Sequence, residues 1–139
     1  MKRTVASILC ALVFVVACVA PDNPQANTNL VRVNTLRAAY GVAALPRVYE
    51  LDIKAQAWAQ VIANDGYLHH SNLSEGVSPG WRLIGENTAV GGSVEAAQAA
   101  LENSAGHLTN LVNPAFNQIG IGVVSQGGAV WLVQVFFSR

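Results

Sequence analysis

The chain is nearly without cysteine. Its only two, Cys10 and Cys18, lie within the first eighteen of 139 residues, so no disulfide can brace the remainder. Small exported domains commonly depend on such braces, whereas about 120 residues can bury roughly two thirds of their surface without them. Charge is scarce as well. Asp, Glu, Lys and Arg make up 12% of the residues, with acids and bases balanced at 8 each. No basic patch results, which argues against nucleic acid as a partner. No apolar run approaches the roughly 20 residues of a membrane-spanning helix. The compact chemical motifs are missing too: there is no HExxH, no CxxC and no GxSxG. Gly120-Ile121-Gly122 lacks the third glycine and following helix of a dinucleotide fingerprint, so it reads as close packing of a sheet.

What is present begins with an export pattern. Lys2 and Arg3 precede Val5 to Val16, an apolar stretch of about a dozen residues, the length of a secretory signal core. Residues 1–20 are therefore expected to be a signal peptide. Val15-Val16-Ala17-Cys18 also reads as a bacterial lipoprotein box, in which Cys18 would carry lipid and attach the protein to a membrane. The alternative is ordinary cleavage after Ala17 or Ala20. Without Lys2 and Arg3, 6 basic residues face 8 acidic ones, a net charge of about −2. Residues 21–29, with two prolines and three asparagines, read as a linker. Residues 30–139 then form one domain.

Within it the spacing predicts a helix over Leu30 to Tyr40, capped by Thr28 or Asn29 and stopped by Gly41. Leu51, Ala55, Trp58, Ala59 and Ile62 make one apolar stripe of a second helix that ends at Gly66. A third starts at the N-cap Ser93, with Glu95 in its first turn, and stops at Gly106. A short helix over about Leu108 to Val112 follows. Ile119, Ile121 and Val123 alternate with Gly120, Gly122 and Val124. Gly127-Gly128 is a turn, and Ala129 to Phe137 returns as a very apolar strand covered on both faces. Ile84 to Ala89 reads as another strand. The sum is an α+β domain, a small antiparallel sheet flanked by helices.

The chain has only three histidines. His70 and His107 lie on either side of Gly85-Glu86-Asn87, and imidazoles with a carboxylate are the groups that bind borderline metals and move protons near neutral pH. Taken singly, each has an ordinary structural reading: a solvated loop histidine, a turn contact, a carboxylate on backbone amides. Spacing alone leaves a shared site open.

Taken in order, these segments resemble the CAP superfamily (the SCP or PR-1-like domain) in its bacterial secreted form. The match runs through Asn34-x-x-Arg37-x-x-x-Gly41-x-x-x-Leu45, Leu51…Ala55…Trp58-Ala59, His70-Ser71, Gly85-Glu86-Asn87 and Ser104-Ala105-Gly106-His107. It closes with Asn113-Pro114-x-Phe116-x-x-Ile119-Gly120-x-Gly122 and the Val130-Trp131…Gln134-x-Phe136 strand. Leu101 and Leu108 stand where the family usually has a tryptophan and an arginine. The resemblance implies an α-β-α sandwich and an extracellular or cell-envelope location. It implies one cleft in which His70, Glu86 and His107 hold a divalent metal such as Zn²⁺, with Glu102 or Glu95 as a further acid. It also implies binding of a small-molecule or lipid ligand. A metal-dependent envelope hydrolase, using water acidified at an open metal position, is the alternative.

Overall fold

The structure, a computed structural model, describes residues 23–139. The expected signal peptide and Cys18 lie outside the described residues. Helix α1 spans Pro24–Ala39. It begins six residues before the expected start and takes in most of the expected linker. The Asn23 side chain accepts from the backbone N–H of Gln25 and Ala26, and Pro24 occupies the first turn, which is an ordinary helix start. The polar composition misled because those side chains have distant partners: Asn29 is buried against Gln98 and Gln134, and Asn27 accepts from Arg47.

Helix α2 is Tyr49–Asp65 and ends on Gly66 at φ 75°. Helix α3 is Val94–Glu102, capped by the Ser93 hydroxyl accepting from Ala96 N–H. It stops earlier than expected, at Asn103, whose side chain donates to the Ala99 carbonyl. Gly106 therefore lies inside α4, Ala105–Leu111, and His107 is in the first turn of that helix.

The strands are β1, Leu83–Gly91, β2, Gln118–Gln126, and β3, Ala129–Ser138. They form an antiparallel sheet in the order β1-β3-β2. The β2–β3 hairpin turns on Gly127 and Gly128, both at positive φ, as a two-residue turn of primed type requires. β3 is central and, Gln134 and Ser138 apart, apolar because both of its faces are covered.

One face carries Val124, Trp131, Val133, Val135 and Phe137 against Leu51, Ala55, Ala59 and Ile62 of α2. The other carries Ile119, Ile121, Val123, Leu132 and Phe136 against α1, α3 and α4. The domain is thus an α-β-α sandwich, as its sequence implies. α2 lies almost directly on β2. Its Asp52 accepts from Ile121 N–H and its Gln56 from Val123 N–H, so side chains one turn apart complete the hydrogen bonding of that strand edge. Residues 46–48 cover the next stretch through bonds between Ile119 and both Pro46 and Val48.

Candidate functional site

The site is built along the edge strand β1. Successive strand residues point to opposite faces, and the Gly-Glu-Asn run uses both. Gly85 faces α4, where an added Cβ would come within 2.9 Å of the Phe116 ring and 3.2 Å of Asn110 Oδ1. Glu86 faces the loop that follows α2. Asn87 faces α4 again and donates to the His107 carbonyl at 3.2 Å.

The Glu86 side chain is only 1% exposed, and the His70 side chain beside it is 59% exposed. Its Oε1 lies 2.9 Å from His70 Nδ1 and accepts from Ser71 N–H at 2.9 Å. Its Oε2 accepts from the Ser71 hydroxyl. A carboxylate accepts only, so neutral His70 carries its proton on Nδ1 and leaves Nε2 bare towards solvent. This is the arrangement by which a carboxylate fixes the tautomer and the ring orientation of an imidazole. Glu86 stands behind His70, as its support.

Two residues given no role in the sequence analysis, Ser71 and Lys54, hold the loop. Ser71 closes the Glu86 clamp, and the Lys54 ammonium donates to the carbonyls of Asn72 and Glu75, each at 2.8 Å. Burial pushes the Lys54 ammonium below its ordinary value, and the charges of Glu86 and Glu75 partly offset this. A lysine buried on α2 next to the stripe was the available signal.

His70, Ser71, Glu86 and Asn110 line a cavity of about 410 Å³. His107 lines a separate one of about 160 Å³ with Leu68, Thr88 and Ser104. The two histidines remain near enough for a charge on His70 to act on His107. Burial first, then that charge, lowers the His107 pKa from its ordinary value.

Unfolded, the His107 imidazole binds its proton at a higher pH than when folded. Stability is therefore lost as pH falls from about 6.5 towards the folded pKa, and levels off below it. Urea midpoints measured between about pH 8 and 5 are expected to show this fall, and His107→Gln to flatten that part of the profile. Parallel profiles would show that His107 does not contribute.

The expected acid Glu102 is not in this cleft. It pairs with Arg32 at 2.9 Å and accepts from Gln98 at 3.1 Å, because its helix faces α1. Glu95, the other acid considered, is in the first turn of α3. Among the described residues no group of three or more His, Cys, Asp or Glu side chains is placed to hold a metal ion. The expected three-donor set is thus not assembled, and both Glu86 oxygens accept hydrogen bonds from the His70–Ser71 segment.

A three-stranded sheet between two helical layers, with Gly-Glu-Asn on an edge strand and two histidines beside it, defines a CAP-fold domain. The chain belongs to the CAP family, described as the cysteine-rich secretory protein family, whose pattern matches residues 30–136. It is 32% identical over 111 residues to the uncharacterized protein YkwD of Bacillus subtilis, covering 73% of this chain and 42% of that one. An extracellular SCP-domain protein of Bacillus anthracis superposes with a TM-score of 0.74 at 23% identity, covering 87% of this chain and 44% of that one. The chain thus spans less than half the length of either relative. NaASP2, whose crystal structure contains Zn²⁺, superposes with a TM-score of 0.65 at 16% identity, over 85% of this chain and 83% of that one.

Proposed function

We propose that this is an exported binding domain that holds a divalent cation, zinc in the first instance, between His70 and His107 and presents it to a small-molecule or lipid ligand. The observation that carries the reading is the Glu86 clamp. A nearly inaccessible carboxylate holds Nδ1 of an exposed histidine, so that the ring's other nitrogen is bare and outward. That is costly to build unless the free nitrogen has a use, since Glu86 must be desolvated and satisfied by three separate donors. A cation on two imidazoles keeps open positions for oxygen donors of a ligand. The export pattern at residues 1–20 and the extracellular neighbour support a location outside the cytoplasm. Secretion and anchoring through Cys18 are distinguished by a diacylglyceryl mass on that residue.

The hydrolase alternative needs a free carboxylate base. Glu86 is committed to His70 and Ser71, and Glu102 to Arg32 and Gln98, so binding is the better supported reading.

Isothermal titration of zinc into the exported protein tests it. One site per chain is expected, lost in His70→Ala and in His107→Ala, and weakened about 10- to 100-fold in Glu86→Gln, the usual range for a ligand's support. Equal, weak heats from all four proteins would refute the proposal.

A further inference from the structure

We infer that Glu102 is a positioning residue for His107, acting through a buried chain of side-chain amides; its bearing on the cation rests on the two-imidazole reading above. The chain starts at the Arg32–Glu102 pair and ends at the His107 carbonyl. Asn29, Gln98, Gln134 and Asn87 are each at most 1% exposed, and among the described residues no buried side-chain polar atom lacks a partner.

The direction of the chain is fixed. Burial alone would push the Glu102 carboxyl up, but hydrogen bonds from Arg32 and Gln98 and the Arg32 charge hold it below its ordinary value. An ionised carboxylate only accepts, so Gln98 must turn its amide nitrogen to it, at 3.1 Å. Gln98 Oε1 then faces inward and accepts from Asn29 Nδ2 at 2.8 Å and from Gln134 Nε2 at 2.7 Å. Gln134 Nε2 gives its second hydrogen to Asn29 Oδ1 at 2.8 Å. Gln134 Oε1 is left to accept from Asn87 Nδ2 at 3.3 Å. The other Asn87 hydrogen goes to the His107 carbonyl at 3.2 Å.

Asn87 Oδ1 accepts from Asn110 Nδ2 at 2.9 Å, and Asn110 also donates to the Glu86 carbonyl at 3.4 Å. Turning any one of these amides over would set nitrogen against nitrogen or oxygen against oxygen in a buried site. In a medium of low dielectric such mismatches are costly, so the accept-only groups at the two ends, the Glu102 carboxylate and the His107 carbonyl, together select one arrangement.

Neighbouring residues of β1 therefore contact the two histidines. Glu86 holds the His70 ring from one face of the strand, and Asn87 holds the His107 backbone from the other. Glu102 fixes, from the far end of the chain, the same orientation of Asn87 that the His107 carbonyl requires, without touching either histidine.

The test uses the full-length, ¹⁵N-labelled protein and the variants Glu102→Gln, which can donate to Gln98, and Glu102→Asp, which cannot. In Glu102→Gln the Asn87 side-chain amide protons should exchange at least about tenfold faster. The His107 ring resonances should shift while those of His70 stay, and zinc should bind about tenfold more weakly. Glu102→Asp should stay close to wild type in all three. A Glu102→Gln protein that is merely less stable, with Asn87 exchange and His107 resonances unchanged, would overturn the inference. If wild type binds no zinc, the cation reading fails, but exchange and ring resonances still decide the role of Glu102. If Glu102→Gln does not fold, the wild type decides: slow, separately resolved Asn87 and Gln134 side-chain protons support the relay, and solvent-like exchange overturns it.

Discussion

Gly122→Ala is expected to destabilise the domain by at least about 3 kcal/mol, the upper end of the usual cost of overpacking. The new Cβ would lie 2.2 Å from the Ala55 carbonyl oxygen and 2.4 Å from the Gln56 nitrogen. Both are backbone atoms of α2, so no side-chain rotation relieves the contact. The helix would have to lift off the strand. That would stretch the bonds from Asp52 and Gln56 to the β2 edge and open the packing of Leu51, Ala55 and Ala59. Gly120 is in the same position, with a Cβ 2.1 Å from the Leu51 carbonyl carbon. A domain of this size has about 5–15 kcal/mol in all, so the Gly120→Ala/Gly122→Ala pair should not fold. Gly106→Ala is the control: nothing lies within 4 Å of its Cβ, and inside α4 alanine should be neutral or stabilising by up to about 1 kcal/mol. Urea unfolding of the three variants checks this. A Gly122→Ala midpoint equal to that of Gly106→Ala would show that α2 does not seat on β2 so closely.

Arg37→Met should cost about 2–5 kcal/mol, because buried carbonyls left without a donor cost about 1–3 kcal/mol each. Arg37 is fully buried. It has no acidic partner among its hydrogen bonds. Nε donates to the Ala43 carbonyl at 2.7 Å, one terminal nitrogen to Leu111 and Asn113 at 2.9 and 3.1 Å, and the other to Phe116 at 3.4 Å. Four carbonyls from three segments thus replace the water around one cation. Leu111 is the last residue of α4, where the helix dipole is negative. Burial pushes the guanidinium pKa down, but arginine remains charged at any ordinary pH. Methionine fills much of the volume but leaves the buried carbonyls of Leu111 and Phe116 without this donor, whereas the Asn113 carbonyl still accepts from Phe116 N–H. Arg37→Lys, with one donor centre in place of a planar fork, should recover only part of the loss. Equal urea midpoints for wild type and Arg37→Met would contradict this account of the α1–α4 junction.

Local features of the fold were legible. The α2 stripe, the Ser93 cap, the Gly127-Gly128 turn and the glycines facing α2 each follow from a spacing or residue type that acts over a few positions. The start of α1 was missed because Asn23-Pro24 was weighed by composition as linker, when its order is that of a cap followed by a first-turn proline. Gly106 was taken for a stop because glycine so often ends a helix, but Asn103 had already ended α3. The contact between His70 and Glu86 was legible only through the motif, whose three residues now have separate physical roles. The amide chain left no trace in the sequence. Asn29 and Gln134 are 105 residues apart, and an isolated buried amide looks like any surface one. Glu102 was named for the cleft from the resemblance and its nearness in sequence to His107, whereas its partners are Arg32 and Gln98.

The most direct measurement is a long-range ¹H–¹⁵N correlation spectrum of His70 at about pH 8, where an ordinary histidine is neutral, without and with zinc. A clamped ring shows a protonated Nδ1 and a bare Nε2 before zinc is added, a shift confined to Nε2 afterwards, and a mixture of tautomers in Glu86→Gln. A proton on Nε2, or a zinc shift at Nδ1, would contradict the role assigned to Glu86 and with it the two-imidazole site.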